Sequence, residues 1–493
     1  MEDKTQNERQ YPPVRRKRKR RPKWQRILRK YWPPIRFGLI CLLLLVILIT
    51  GVKGIVGLVR DAVREDDVTQ QTDPVEDDTD STEPTGEQIS QDVQELIKKA
   101  DFLAAGYDYE AAVALLQSDA SYGSSEELEA KIAEYRQADS QLVSYPKMSE
   151  ITHVFFHTLV VDEARCFDGD YREKGYNLYM TTVDEFNQIL ESMYERGYVL
   201  VSPYDVAYEV TDESGTHFTY GDIRLPAGKI PFVMSQDDVN YYGYMIGDED
   251  PQLERPAVAN ANGDGFAHKI VIGEDGYPTC EYYDADGNLL TGSYDLVPIL
   301  EDFIQKHPDF SYKGARAVLG MTGYEGVFGY RTKPGHKDYL GEEAYQKEVE
   351  QAKEVAQCLR DHGWILASHT YGHPSLGQVS VERVATDTQK WEDTVESIIG
   401  KCDIILYPHG SDVAGVEKYT MDNEKFKILY DSGLRYFYNV DSAVSWCQLG
   451  DNYFRGGRRN LDGYRMYNSP GRLEDLFDAA AIFSKARPTP VSF

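Results

Sequence analysis

Five residues carry the chemistry open to this chain. Asp237 and Asp238 stand side by side just after the apolar run Ile230 to Met234, and His369, His373 and His409 follow far downstream. Adjacent carboxylates at the end of a buried strand are costly to keep charged unless a cation compensates them, and a metal ion is the commonest compensation. His369 and His373, in Ser368-His-Thr-Tyr-Gly-His-Pro374, are four apart. On a helical turn that spacing puts both rings on one face, as metal ligands require; a hydrogen-bonded surface pair is the alternative. Gly372 and Pro374 argue against a long helix, and no Glu follows His369, so a His-Glu-x-x-His protease is not indicated. Two histidines and one carboxylate also hold iron in oxygenases. The second Asp favours hydrolysis, with one carboxylate on the metal and the other taking a proton from the bound water.

These segments need elements that bring them together. Each follows an apolar strand: Asp237-Asp238 after Ile230–Met234, His369/His373 after Trp364–Ala367, and Pro408-His409-Gly410 after Asp403–Tyr407. In barrels of parallel strands, catalytic residues gather at those strand ends. The surrounding pattern agrees. His153–His157, Tyr198–Val201, Ala317–Met321 and Arg435–Val440 read as strands. Helices are expected over Thr182–Arg196 (with a Thr182/Glu185 capping box), up to Lys306, and over Glu342–His362, Val381–Ile399 and Lys425–Ser432. Repeated strand–helix units of this size predict an α/β barrel over 145–493. An insertion at about 240–296 breaks the period. In it a hairpin joins Thr279–Tyr283 to Leu289–Tyr294, and Asp284-Ala-Asp-Gly-Asn288 is a turn, its Gly two places early for an EF-hand loop.

Ser235-Gln-Asp-Asp238, His369-Thr-Tyr-Gly-His-Pro374 and Leu406-Tyr-Pro-His-Gly410 resemble, in order, the first three motifs of the polysaccharide deacetylase (NodB homology, carbohydrate esterase family four) domain. The resemblance implies a distorted (β/α) barrel and a metal-dependent hydrolase that removes N-acetyl, or sometimes O-acetyl, groups from hexosamine polymers. It implies Asp237 as base and Asp238, His369 and His373 as ligands of a divalent metal: Zn²⁺, with Co²⁺ or another transition metal as alternatives. It also implies that Tyr407, Pro408 and Gly410 shape the acetyl pocket, with the His409 N–H helping to hold the oxyanion.

Three departures stand out. Ser235-Gln236 replaces the family's Thr-Phe. Leu406 replaces the Arg that steadies the base; Arg455, Arg458 or Arg459 can substitute for it, or are surface charge. No His follows His409, so the usual late acid is missing. His409 is the substitute catalytic acid, or only lines the pocket. His153 and His157 read as packed strand histidines, with an approach to the cleft as the alternative. The missing parts leave a catalytically inactive, glycan-binding relative as the alternative to an enzyme.

The rest of the chain places this domain. At 493 residues with 41% apolar content, two or three folded units are expected. The net charge of −28 hides a basic tail over residues 1–36, and the acidity of the remainder excludes nucleic acid as its partner. Phe37 to Thr50 carries no charge, and 37–59 reads as a single-pass signal anchor. Its basic flank predicts a cytoplasmic N-terminus and an extracellular catalytic domain at the cell membrane, facing cell-wall or exported polysaccharide. Residues 60–88 form an acidic tether. Residues 89–144 form a helical, tetratricopeptide-like spacer that either docks on the large domain or binds a protein partner. Asp108 is expected to cap its second helix, and Ser124 with Glu127 its third. The six cysteines show no pairing pattern. The 36 tyrosines suit packing or sugar surfaces.

Overall fold

The computed structural model of the chain describes residues 86–493, apart from 121, 248–261 and 442–444. The basic tail, the 37–59 span and nearly all of the acidic tether lie outside the described residues. Among the described residues no helix is long and apolar enough to cross a membrane.

Three helices open the described chain: α1 (Gly86–Ala105), α2 (Tyr109–Gln117) and α3 (Glu126–Asp139). The first begins inside the stretch read as tether. Ala100, Ala112, Leu116, Leu128 and Ile132 bury a small core between them. Asp108 caps α2 by accepting from Ala111 N, as expected. The cap of α3 is Ser125, one residue after the expected Ser124, because its Oγ is the one that reaches Leu128 N. The helices dock on the barrel through named bonds. Tyr107 Oη donates to the Asp309 carbonyl at 3.0 Å, Lys313 N to the Gly106 carbonyl at 2.7 Å, and Arg224 pairs with Asp139 at 3.0 Å.

Seven parallel strands close into a barrel: β1 (Thr152–Phe156), β2 (Ile230–Gln236), β3 (Val318–Met321), β4 (Ile365–Ser368), β5 (Ile404–Leu406), β6 (Tyr436–Val440) and β7 (Phe454–Asn460). The ring runs β3-β4-β5-β6-β7-β1-β2 and returns to β3, where Val318 pairs with Ser235. A short strand, Tyr198–Leu200, pairs with the first half of β2 on the edge that β3 takes for the second half. That shared edge is the barrel's distortion. Helices α4 (Val183–Glu195), α5 (Leu296–Lys306), α6 (Glu342–Asp361), α7 (Val381–Trp391) and α8 (Glu424–Asp431) cover it. The Thr182/Glu185 capping box is present in full at the start of α4.

Two expectations change here. The helix expected over Val381–Ile399 is interrupted by a wider turn at Glu392–Glu396 before it resumes at Ser397–Ile399. The insertion is a three-stranded antiparallel sheet, not a single hairpin: Lys269–Ile272 joins Pro278–Tyr283 and Leu289–Gly292.

Strand residues alternate between faces. Val233, Val318, Leu406, Tyr438 and Phe454 share one buried cluster, the barrel interior. Phe232, Met234, Leu319 and Leu366 pack outward with helix residues such as Phe186 and Leu359. Ile405, Tyr407 and Phe437 pack outward with Val384 and Phe426. The same parity turns His157, Asp237, His369 and Arg458 inward, at or just beyond the C-terminal ends of their strands.

A candidate metal centre at the mouth of the barrel

The site begins where β1 and β2 end together. Phe156 pairs with Gln236, and Asp237 N donates to the Phe156 carbonyl at 2.8 Å. Register therefore sets His157 level with Asp237 on neighbouring strands.

Asp237 is buried and gripped by Arg458, which is also buried. Nη1 donates to Oδ1 at 2.5 Å and Nη2 to Oδ2 at 3.0 Å, a two-pronged pair. Burial works against the charge on Asp237, but Arg458, then His369, overcome it and hold the carboxyl well below the usual carboxylate range. The guanidinium absent at Leu406 thus comes from β7, two strands round the ring. Arg455 and Arg459 do other work: Arg455 Nε donates to Asp412 at 2.9 Å, and Arg459 forks onto Asp475 at 2.7 and 2.8 Å. All three are buried ion-pair partners rather than surface charge.

Asp238 turns away from its neighbour because its φ is +58°. This is uncommon for a residue with a side chain and typical of functional turns. Its Oδ1 accepts from Tyr242 Oη at 2.5 Å, and its Oδ2 lies 3.9 Å from His373 Nε2. Burial opposes its ionisation, but His369 and His373 keep its carboxyl below the usual range.

His369 follows β4. Only Ser368 and Ile405 are in register between β4 and β5, and beyond them the Leu406 carbonyl accepts from His369 Nδ1 at 2.7 Å. That bond fixes the tautomer and leaves Nε2 with a free lone pair. His373 Nε2 lies 3.1 Å from His369 Nε2. The expected helical turn is absent. Thr370 (φ +66°) and His373 (φ +54°) wind left-handed, and Tyr371 N and Gly372 N donate to the buried carboxylate of Asp387 on α7 at 2.8 and 3.1 Å. A loop tied down by Asp387, not a helix face, brings the two rings together. Burial, only partly offset by Asp238, pushes His373 down to about 4, so its ring is neutral at pH 7.

Among the described residues, Asp238, His369 and His373 form a set of possible metal-ligand atoms within 4.8 Å of one another. The donor chemistry fits a divalent transition metal. There are two imidazoles, their Nε2 atoms 3.1 Å apart, and one carboxylate, and Tyr242 and the Leu406 carbonyl orient them from behind.

The third motif contributes differently. Tyr407 is fully buried on the outward face, its hydroxyl 3.0 Å from that of Tyr419, so only its backbone is available to a substrate. Pro408 is buried, and the turn closes with Gly410 N on the Tyr407 carbonyl at 3.0 Å. Gly410 has φ +63°, and a Cβ there would stand 2.7 Å from Val440 Cβ. His409 is exposed, left-handed at φ +56°, and edge-on to His373 at 4.4 Å between ring centroids.

His157 is half-buried at the same mouth, close enough to favour the ionised forms of both Asp237 and Asp238. Its Nδ1 donates to the Tyr179 carbonyl at 3.1 Å, which leaves Nε2 open. His153, four residues earlier, is packed inside the barrel against Ser235 and Tyr438. Sequence reasoning missed Tyr242 and Asp387, which carry no motif. Gln236 faces outward and donates to Asp295 at the start of α5, so this departure from the family pattern serves packing.

Residues 343–431, which span α6, both metal-site histidines and the third motif, match the family model for polysaccharide deacetylase. Among solved structures the chain is similar to the Streptococcus pyogenes deacetylase PplD in complex with acetate. Identity is 15%, coverage 68% of this chain and 98% of that one, and the TM-score 0.34. It is also similar to a mutant of BA3943, a CE4 family pseudoenzyme with restored enzymatic activity, at 12% identity, 34% and 68% coverage and a TM-score of 0.18. None of the curated proteins compared with the chain matches it. The family-model match covers the second and third motifs, so residues 343–431 are similar to the polysaccharide deacetylase family.

Proposed function

We propose that the protein is a metal-dependent hydrolase that removes N-acetyl groups from a hexosamine polymer. The observation that carries this reading is the division of labour between adjacent acids. Asp238 converges with His369 and His373 on one set of ligand positions, while Arg458 keeps Asp237 out of that set and ionised. A divalent metal, when bound there, supplies a Lewis acid that polarises the acetyl carbonyl and acidifies the attacking water.

The chain's own residues do the rest. Asp237 is a weak base because Arg458 stabilises its charge, so it suits a water that is already acidified. It accepts the proton as the water oxygen bonds to the acetyl carbon. The carbon–nitrogen bond then breaks, and the leaving amine needs a proton. His157 is assigned to give it: its Nδ1–H is committed to Tyr179, so Nε2 is the nitrogen that hands the proton over. The His409 backbone N–H and Pro408 border the acetyl group. Acetate and a free amine are the products.

The cell-surface placement rests on the uncharged run Phe37–Thr50 behind a basic tail. A partner of the helical region would meet a cavity of about 560 Å³ lined by residues such as Tyr109, Val113, Arg136 and Lys313. The test of function is acetate release from N-acetylated chito-oligosaccharides by the whole protein supplied with zinc or cobalt. Release that Asp237→Asn abolishes supports the reading; glycan binding without release under any divalent metal sinks it.

A further inference from the structure

The mouth of the barrel opens onto a line of aromatic rings that the acetyl-transfer chemistry does not use. The line starts at His157. Its ring lies 6.5 Å from that of Tyr179, Tyr179 lies 6.4 Å from Phe493, and Phe493 lies 4.6 Å from Tyr464. Tyr464 sits on the short helix Gly463–Asn468, which continues from β7, the strand that carries Arg458. The stripe therefore leaves the site on the Asp237 side.

Two of its rings are exposed, unlike the interior aromatics, and Tyr464 is half-buried beside them. Phe493 is 70% exposed and Tyr179 44%. Buried tyrosines of this fold bind their hydroxyls internally: Tyr176 to Asp264, Tyr241 to Asp295 and Tyr242 to Asp238. Neither the Tyr179 nor the Tyr464 hydroxyl bonds another described residue. Ring faces beside free hydroxyls suit a ligand with apolar C–H faces and many hydroxyl groups at its edges, which is the chemistry of a pyranose chain. The successive rings are tilted by 60°, 55° and 48°, so the surface curves rather than forming the flat apolar patch of a protein interface.

We infer that Tyr179, Phe493 and Tyr464 form a binding track for the sugars next to the acetylated residue, so that the protein acts within polymers and prefers long glycans to short ones. This rests on the proposed deacetylase site and names how that site selects its substrate. Tyr179 has two tasks: its carbonyl aims His157, and its ring takes a sugar face. Occupancy of the track thus adjoins the proton donor.

The test separates the track from the chemistry. Binding of chitopentaose and of chitobiose, both fully N-acetylated, is measured by calorimetry on the whole protein carrying Asp237→Asn, with and without Phe493→Ala or Tyr464→Ala. The track predicts tighter binding of the pentamer than the dimer. It also predicts an about tenfold weaker pentamer affinity in each aromatic variant, and a pentamer-to-dimer ratio that collapses towards one. Equal pentamer affinity with and without the rings, or no pentamer binding by the Asp237→Asn protein, overturns it. Ring-dependent binding in a protein that never releases acetate removes the enzyme reading and leaves the track standing.

Discussion

Arg458 and Asp237, on strands separated in the barrel by β1, form a buried two-pronged ion pair. The pair explains how a carboxylate stays charged inside the barrel. Removing one partner of a buried pair leaves a stranded charge and costs about 3–5 kcal/mol. Arg458→Met is therefore expected to lower thermal stability by that order. In whatever folds, burial is no longer offset, so Asp237 ionises only at higher pH and the acid limb of the pH–rate profile moves upward. Arg458→Lys keeps a charge but loses the fork. It is expected to stay folded and lose about a hundredfold in kcat, read by acetate release and a melting curve side by side.

Tyr242 donates to the oxygen of Asp238 that does not approach His373. Hydrogen bonds to a metal ligand typically carry about 10–100-fold in affinity. Tyr242→Phe should weaken zinc binding by that factor in a competition with a chromogenic chelator. Asp238→Ala and His373→Ala should lose stoichiometric metal altogether; full occupancy in either would remove it from the ligand set.

Asp387 ties down the loop between the two histidines through two backbone N–H groups. Asp387→Ala frees those donors and lets His373 drift from His369. The expected result is weaker metal binding with the barrel still folded. Zinc saturation by the variant at the wild-type midpoint would show that the loop holds itself.

His157 and His409 flank the centre from opposite sides, His409 against His373 and His157 level with Asp237. A proton donor matters most for a poor leaving group. His157→Ala is expected to lower amide deacetylation by about 10²–10⁴-fold, while cleavage of an aryl acetate, whose leaving group needs no acid, falls far less. If His409→Ala shows that selective loss and His157→Ala does not, the donor is His409.

Much of the site is legible in the sequence because its ligands come in short runs after apolar strands. Asp237-Asp238 and His369/His373 announce both a candidate cation site and a barrel mouth. Arg458 is legible only as one of three arginines that could replace the guanidinium missing at Leu406, since Phe454-Arg-Gly-Gly-Arg-Arg-Asn460 has the composition of an exposed loop. It becomes a central strand because each arginine finds an acid: the buried Asp412 and Asp237 for Arg455 and Arg458, and the more exposed Asp475 for Arg459. His157 is legible only as an alternative to a packed strand histidine, for another reason. Its value depends on the register of β1 against β2, which no local pattern encodes. The helical-turn reading of His369 and His373 fails because spacing alone cannot reveal left-handed residues at Thr370 and His373.

The most direct measurement is acetate release from N-acetylated chitopentaose by the whole protein, stripped with a chelator and titrated with zinc. The account predicts no release without metal, and a rate that climbs in proportion to zinc and levels at one equivalent per chain. Release that persists in chelator, or none at any zinc level, would contradict it.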